Sequence, residues 1–142
     1  METTTTNDTA ARLRRAVTRL NRRLRSSSLG GISPAQASML ASIENLRSPS
    51  LGDLAVAEQV QPPSVTRLVR TMVEAGLITC SADLDDRRCT RVQLTARGRK
   101  EIAAIRRRKT EFLERKLQSL SPSDQQRAEE LVRFLELLME ES

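Results

Sequence analysis

Apolar and polar positions along this chain alternate with periods that change from one segment to the next, and the changes mark its elements. Over residues 10–28, Leu13, Val17, Leu20 and Leu24 recur at helical spacing on one face. Ser33-Pro34-Ala35-Gln36 then combines a capping Ser, a Pro at the first helical position and a Gln one turn on, which predicts a helix carrying Ala37, Leu40 and Ala41, with Ile43 and Leu46 near its end. Ser50-Leu51-Gly52-Asp53 repeats the device and opens a short helix with Leu51, Leu54 and Ala55 as its apolar stripe. After Val60 in a turn, Val65, Leu68, Val69, Met72 and Val73 commit one face of a second helix to a core. Gly76 ends it. The period then drops to two: Leu77 to Cys80 has strand character, residues 83–86 are turn-rich, and Arg91 to Leu94 alternates polar and apolar. Thr95 can cap a helix over residues 96–119 with Ile102, Ile105, Phe112, Leu113 and Leu117, its stripe interrupted by Arg106-Arg107-Arg108-Lys109. Ser121-Pro122 starts a last helix whose Leu131, Val132, Phe134, Leu135, Leu137, Leu138 and Met139 make it apolar on more than one face.

These elements predict a mainly α fold with a small two-stranded β wing: a winged helix-turn-helix plus a helical dimerisation region. Residues 1–10 are Thr-rich and polar and read as a disordered tail; 11–28 and 96–142 read as the dimerisation region and 29–95 as the DNA-binding region. The helix over residues 62–75 turns Ser64, Arg67, Arg70 and Thr71 away from its core face, groups that read base edges or clasp phosphates in a major groove. Pro62 and Pro63 fix its start, which is expected to leave first-turn N–H groups facing a phosphate. Ser64 is the better base-contact candidate, because Thr66 can spend its hydroxyl on capping. At the hairpin tip, Arg87 and Arg88 suit an A·T-rich minor groove, while Asp86 can pair across the turn and stabilise the wing. Together Gln61, Pro62, Ser64, Thr66, Arg67, Arg70, Arg87 and Arg88 are the candidate DNA contacts. An apolar last helix needs cover, and a two-fold DNA site favours a second copy of the chain, with Leu13, Val17, Leu131, Phe134, Leu135 and Leu138 as the candidate interface.

Composition supports a nucleic-acid partner. The 142 residues are one domain's worth, and 24 Lys plus Arg against 18 Asp plus Glu give a formal charge of +6. Seven arginines and no acidic residue stand between Arg12 and Arg25, a solvated face or a phosphate contact. There is no His, Trp or Tyr, no glycine-rich phosphate loop and no nucleophile–base set, which argues against an enzyme. No metal and no cofactor are expected. Neither a membrane span nor a signal-peptide pattern is present, so the expected location is the cytoplasm.

Three pieces of sequence resemble the MarR family of bacterial transcriptional regulators. They are Val60-Gln61-Pro62-Pro63-Ser64-Val65-Thr66-Arg67-Leu68-Val69 at the recognition helix, Glu74-Ala75-Gly76-Leu77-Ile78 at its exit, and the wing signature Asp86, Arg88, Leu94, Thr95 and Gly98. The resemblance implies a homodimer that binds a pseudo-palindromic operator, more often as a repressor. It also implies modulation by a small aromatic or anionic effector, held between the dimerisation helices and the DNA-binding lobe. First-helix arginines could pair with such an anion, but the missing Tyr and Trp remove its usual stacking partners.

Two alternatives to effector control stay open. Cys80 and Cys89 flank the hairpin tip and could face each other, which would suit a thiol-based redox sensor; free Cys more often serves as a small apolar residue, so the pair is expected to be dispensable. An architectural winged-helix DNA binder without an effector is the other.

Overall fold

Three serines start three of the helices. Ser33, Ser50 and Ser121 each hold extended backbone and accept a hydrogen bond from the backbone N–H of the third helical residue; at Ser33 and Ser50, Gln36 and Asp53 return the bond and complete a capping box. The computed structural model describes residues 2–82 and 88–140, and among them the order is α1 (Glu2–Ser28), α2 (Pro34–Leu46), α3 (Leu51–Glu58), α4 (Pro62–Glu74), β1 (Ile78–Ala82), β2 (Cys89–Leu94), α5 (Ala96–Gln118) and α6 (Pro122–Met139). The two strands pair antiparallel, with Ile78 opposite Leu94 and Cys80 opposite Val92. This is the winged helix-turn-helix with flanking helices that the sequence predicts.

The core is built by α2, α3, α4, the ribbon and the first half of α5. Met39, Leu40, Ile43, Leu54, Val65, Val69, Met72, Leu77, Ile78, Val92, Leu94 and Ile102 form one buried cluster, with Leu51, Ala55 and Leu68 packed on it. Two features lock the ribbon into that core. The outer edge of β2 is paired as well, because the Val92 N–H donates to the Pro49 carbonyl at 2.9 Å and ties the segment before α3 to the ribbon. At the other end Thr95 donates from its N–H to the Leu77 carbonyl and from its hydroxyl to the Gly76 carbonyl, while capping Gly98. A Cβ on Gly98 would meet the Leu77 carbonyl oxygen at 2.1 Å, so only glycine lets α5 approach β1 this closely.

Several expectations shift. A helix starts at Glu2 where a disordered tail over 1–10 was expected; no Gly or Pro separates these residues from the body of α1, and Thr9 satisfies its hydroxyl on the Thr5 carbonyl. Val73 does not join the core but is 39% exposed beside the ribbon. The basic run that interrupts the apolar stripe of α5 has structural partners: Arg106 pairs with Glu44 of α2, and Arg108 donates to the carbonyl of buried Ser28 at 2.9 Å, satisfying the C-terminus of α1. Asp86 and Arg87 lie outside the described residues.

Candidate nucleic-acid interface

The recognition helix is two-faced by construction. Val65, Val69 and Met72 are buried, whereas Gln61, Pro62, Ser64, Thr66, Arg67, Arg70 and Thr71 are all exposed, with Ser64, Arg67 and Thr71 on the side away from the core. The guanidinium groups of Arg67 and Arg70 make no hydrogen bond or ion pair among the described residues. Two long cations are thus held on a helix with no partner for them among the described residues. Thr66 donates to the Pro62 carbonyl at 3.1 Å and Thr71 to the Arg67 carbonyl at 3.1 Å, so both hydroxyls are turned back onto the helix. Ser64 makes no such bond with its side chain, which leaves it the freer of the two first-turn hydroxyls.

One expectation about this helix fails. Its start does not offer a set of free N–H groups to a phosphate. Pro62 and Pro63 carry no N–H, and the N–H groups of Ser64 and Val65 already donate to the Gln61 carbonyl at 3.0 and 3.3 Å. The prolines that fix where the helix begins also delete its anion-binding donors. The positive charge on this helix is carried by Arg67 and Arg70 alone.

The wing is fastened to the first helix of the motif by a contact that sequence reasoning missed. Arg91, on the outward side of β2, donates to the Ser48 carbonyl at 3.2 Å and lies 4.0 Å from the Asp53 carboxylate, while Gln93 reaches the Ser48 hydroxyl at 3.4 Å. The Asp53 carboxyl is held below the ordinary aspartate value, mainly by the hydrogen bond from the Ser50 N–H, next by the Ser50 hydroxyl, and to a lesser extent by Arg91. Strand alternation could have marked Arg91 as outward-facing, but its partners, Ser48 and Asp53, are distant in sequence, so only the fold brings them together. Arg97 likewise caps α4 by donating to the Ala75 carbonyl at 2.9 Å.

At the base of the wing tip the structure corrects the reading of the cysteines as small apolar residues: Cys80 and Cys89 are joined in a disulfide, with Cα atoms 5.3 Å apart. The bridge forms part of the wall of a groove of about 630 Å³ between α4 and the ribbon, lined also by Leu51, Val69, Val73, Thr66 and Arg70. Arg88 is exposed at the edge of this groove. Recognition-helix cation and wing cation thus flank one concave surface. Among the described residues no cluster could hold a metal ion, and no helix is long and apolar enough to cross a membrane.

The candidate dimer residues fall elsewhere. Val17, Leu131, Phe134 and Leu138 are each about half exposed, and Leu13 and Leu135 are partly covered. No residue of α6 is buried within the chain.

Comparison with known proteins agrees with this geometry. Residues 32–90 match the MarR family. A helix-turn-helix-type transcriptional regulator of Mycobacterium bovis is 32% identical over 116 residues, covering 81% of each chain. The crystal structure of a transcriptional regulator protein from Pseudomonas aeruginosa superposes with a TM-score of 0.81 at 29% identity, over 95% of this chain and 96% of the other. A MepR variant of Staphylococcus aureus, solved bound to an oligodeoxyribonucleotide, shares the fold with a TM-score of 0.70 at 22% identity, over 92% of this chain and 97% of the other. The chain belongs to the MarR family of DNA-binding transcriptional regulators.

Proposed function

We propose that this MarR-family regulator is a cytoplasmic homodimer that binds a pseudo-palindromic operator and represses the promoter it covers. Each subunit lays α4 in a major groove, with Gln61, Pro62 and Ser64 at the base edges or backbone and Arg67 and Arg70 on phosphate or guanine. The wing tip, with Arg87 and Arg88 and with Asp86 as its stabilising partner, enters the flanking minor groove. The observation that carries this reading is the pair of unengaged cations Arg67 and Arg70 on the outward face of a helix whose other face is buried. The dimer reading is supported by α6, which exposes Leu131, Phe134, Leu137 and Leu138 and has no fully buried residue. A two-fold axis between such faces sets the spacing of the recognition helices, which must match about one turn of DNA, roughly 34–36 Å. The MepR variant's oligodeoxyribonucleotide complex supports the same partner here.

A small-molecule effector has a place to act. Between α1, α2 and α5 lies a cavity of about 150 Å³ lined by Asn21, Arg25, Ser38, Ala41, Ile105 and Lys109. Its size is below the usual range for drug-sized ligands, roughly 300–1,000 Å³, so the effector is small or binds an opened form. Arg25 and Lys109 favour an anion, and an aromatic carboxylate of modest size satisfies both the charge and the apolar wall. An occupant there wedges the flanking helices against the DNA-binding lobe and alters the spacing of the two recognition helices.

Selection of bound sequences from random duplex DNA tests the reading. The expected product is a two-fold related pair of half-sites with A·T-rich flanks, preferred over random duplex by roughly 10³-fold or more at physiological salt. A product without symmetry or preference would favour the architectural reading and end this one.

A further inference from the structure

The chain leaves α2 through a backbone conformation that the residue there does not favour. Arg47, the C-cap of α2, has φ 68° and ψ −84°, in the left-handed half of backbone space, where a Cβ is crowded. The bend has a purpose. Ser48 precedes a proline and is biased to extended backbone, and the Pro49 carbonyl must reach the Val92 N–H on the edge of β2. Glycine would make the same bend without the steric cost. An arginine held where glycine fits best implies that its side chain is in use.

That side chain lines a cavity of about 290 Å³ between the end of α2, the edge of β2 and the first turns of α5. Arg99 lines it from α5, on a turn fixed by the seating of Gly98 against Leu77 and by the Arg99 N–H, which donates to the Thr95 carbonyl at 3.0 Å. Buried Ile43 and Leu94 give the cavity an apolar floor, and Ser48 and Gln93 add polar groups. Among the described residues neither the Arg47 nor the Arg99 guanidinium has a hydrogen bond or an ion pair. The one carboxylate in the wall, Glu44, is taken by Arg106, which lines the separate cavity between α1, α2 and α5. Two unopposed positive charges therefore remain. The cavity shares no residue with α4 or with the groove beside it.

The geometry points to this cavity as a binding site for a small phosphomonoester, separate from the DNA face and from the cavity between α1, α2 and α5. Each guanidinium offers a planar fork of donors, and the two forks come from different elements. A carboxylate has one charge and two oxygens, which a single fork fills. A phosphoryl group has close to two charges and three oxygens, so it can take both forks at once. The volume lies at the lower end of ligand cavities, roughly 300–1,000 Å³, and suits a phosphate on a body of a few carbons. That body would rest on Ile43 and Leu94, with its hydroxyls toward Ser48 and Gln93. Such an occupant ties the end of α2, the edge of β2 and the start of α5 together, so its binding stabilises the fold by mass action.

The full-length protein is titrated calorimetrically with glycerol 3-phosphate, and with inorganic phosphate and glycerol as its two fragments. Glycerol 3-phosphate should bind once per chain, more tightly than inorganic phosphate, and raise the melting temperature; glycerol alone should not bind. Arg47→Gly keeps the bend and removes the guanidinium, so it should melt no lower than the wild type yet bind glycerol 3-phosphate at least about tenfold more weakly. Arg99→Gln should weaken binding in the same way, and Arg67→Ala, on the DNA face, should not. Absence of binding, binding that survives Arg47→Gly, or binding lost with Arg67→Ala instead overturns the site. Equal affinity for glycerol 3-phosphate and inorganic phosphate overturns the phosphomonoester as its ligand. In a separate arm Arg47→Gly is titrated against a duplex recovered by the random selection above, where unchanged affinity and salt slope are expected. A salt slope reduced by about one would assign Arg47 to a DNA phosphate and overturn the free ligand.

Discussion

The DNA-reading lobe and the helices that flank it use their apolar residues in opposite ways. In the lobe, Met39, Leu40, Ile43, Leu54 and Met72 are wholly buried within one chain. In the flanks, Val17 is 49% exposed, Leu131 50% and Phe134 49%, although these residues are no less apolar. Burying a Leu or Phe side chain is worth about 1.5–3 kcal/mol, so the lobe has already collected a stabilisation that the flanks have not. The contrast teaches that the lobe holds its own core, whereas α1 and α6 keep apolar faces that their own chain leaves uncovered, as the proposed dimer requires.

The largest effect should come from removing the uncovered face. Deleting residues 131–142 is expected to turn the dimer into a monomer, and to weaken operator binding by roughly 10²–10⁴-fold through loss of the linked second half-site. The lobe should keep its helical and thermal signature, because α6 contributes no buried residue to it. Analytical ultracentrifugation with circular dichroism checks both halves, and a truncated chain that stays dimeric, or a lobe that unfolds with the truncation, breaks the comparison.

Next in size is a substitution inside the lobe. Gly98→Ala places a Cβ on the Leu77 carbonyl oxygen and forces α5 from the ribbon, and should cost about 3 kcal/mol or more in urea unfolding. An unchanged midpoint would show that α5 can move without loosening the core.

The DNA face should behave differently from both. Arg67→Ala and Arg70→Ala are each expected to lower operator affinity by about 1–3 kcal/mol while leaving the melting temperature and the proposed dimer intact, since neither guanidinium is engaged among the described residues. Fluorescence anisotropy at two salt concentrations separates the cases: a phosphate contact lowers the salt slope, whereas a guanine contact alters sequence preference.

The smallest effect concerns the α3 cap. The folded Asp53 carboxyl sits below its ordinary value through the Ser50 N–H first, then the Ser50 hydroxyl, with Arg91 adding less. A depressed carboxyl contributes stability that is present above its unfolded value and is lost as pH falls through the folded one, here below about pH 4. Thermal melts over that interval should show a small acid-side slope that Asp53→Asn removes. A slope that survives the substitution assigns it to another carboxylate.

The extent to which each region could be read in the sequence follows the range of the interactions that made it. Caps act over three residues, so Ser33, Ser50, Thr95 and Ser121 announced their helices correctly. The two-faced α4 was legible for the same reason, apart from Val73, whose place at the groove depends on where the ribbon packs. The helical start of the chain was missed because a Thr-rich stretch carries little apolar pattern, yet it continues a helix already nucleated downstream. The spent N–H groups at the start of α4 could have been inferred from Pro62-Pro63 alone, had the missing donors been counted.

By itself the sequence determined the order of elements, most of the core face of α4 and the exposure of its Ser64, Arg67, Arg70 and Thr71, because periodicity, capping and turn chemistry are local. Only the tertiary structure decided the long-range pairings: Arg91 on Ser48, Arg108 on Ser28, Pro49 along the edge of β2, and Cys89 swung by a bulge onto the face of Cys80. Each of these depends on a register or a helix crossing that the packed core fixes. No local spacing encodes such a crossing, because a one-residue slip in the ribbon would turn the same side chains to the opposite face.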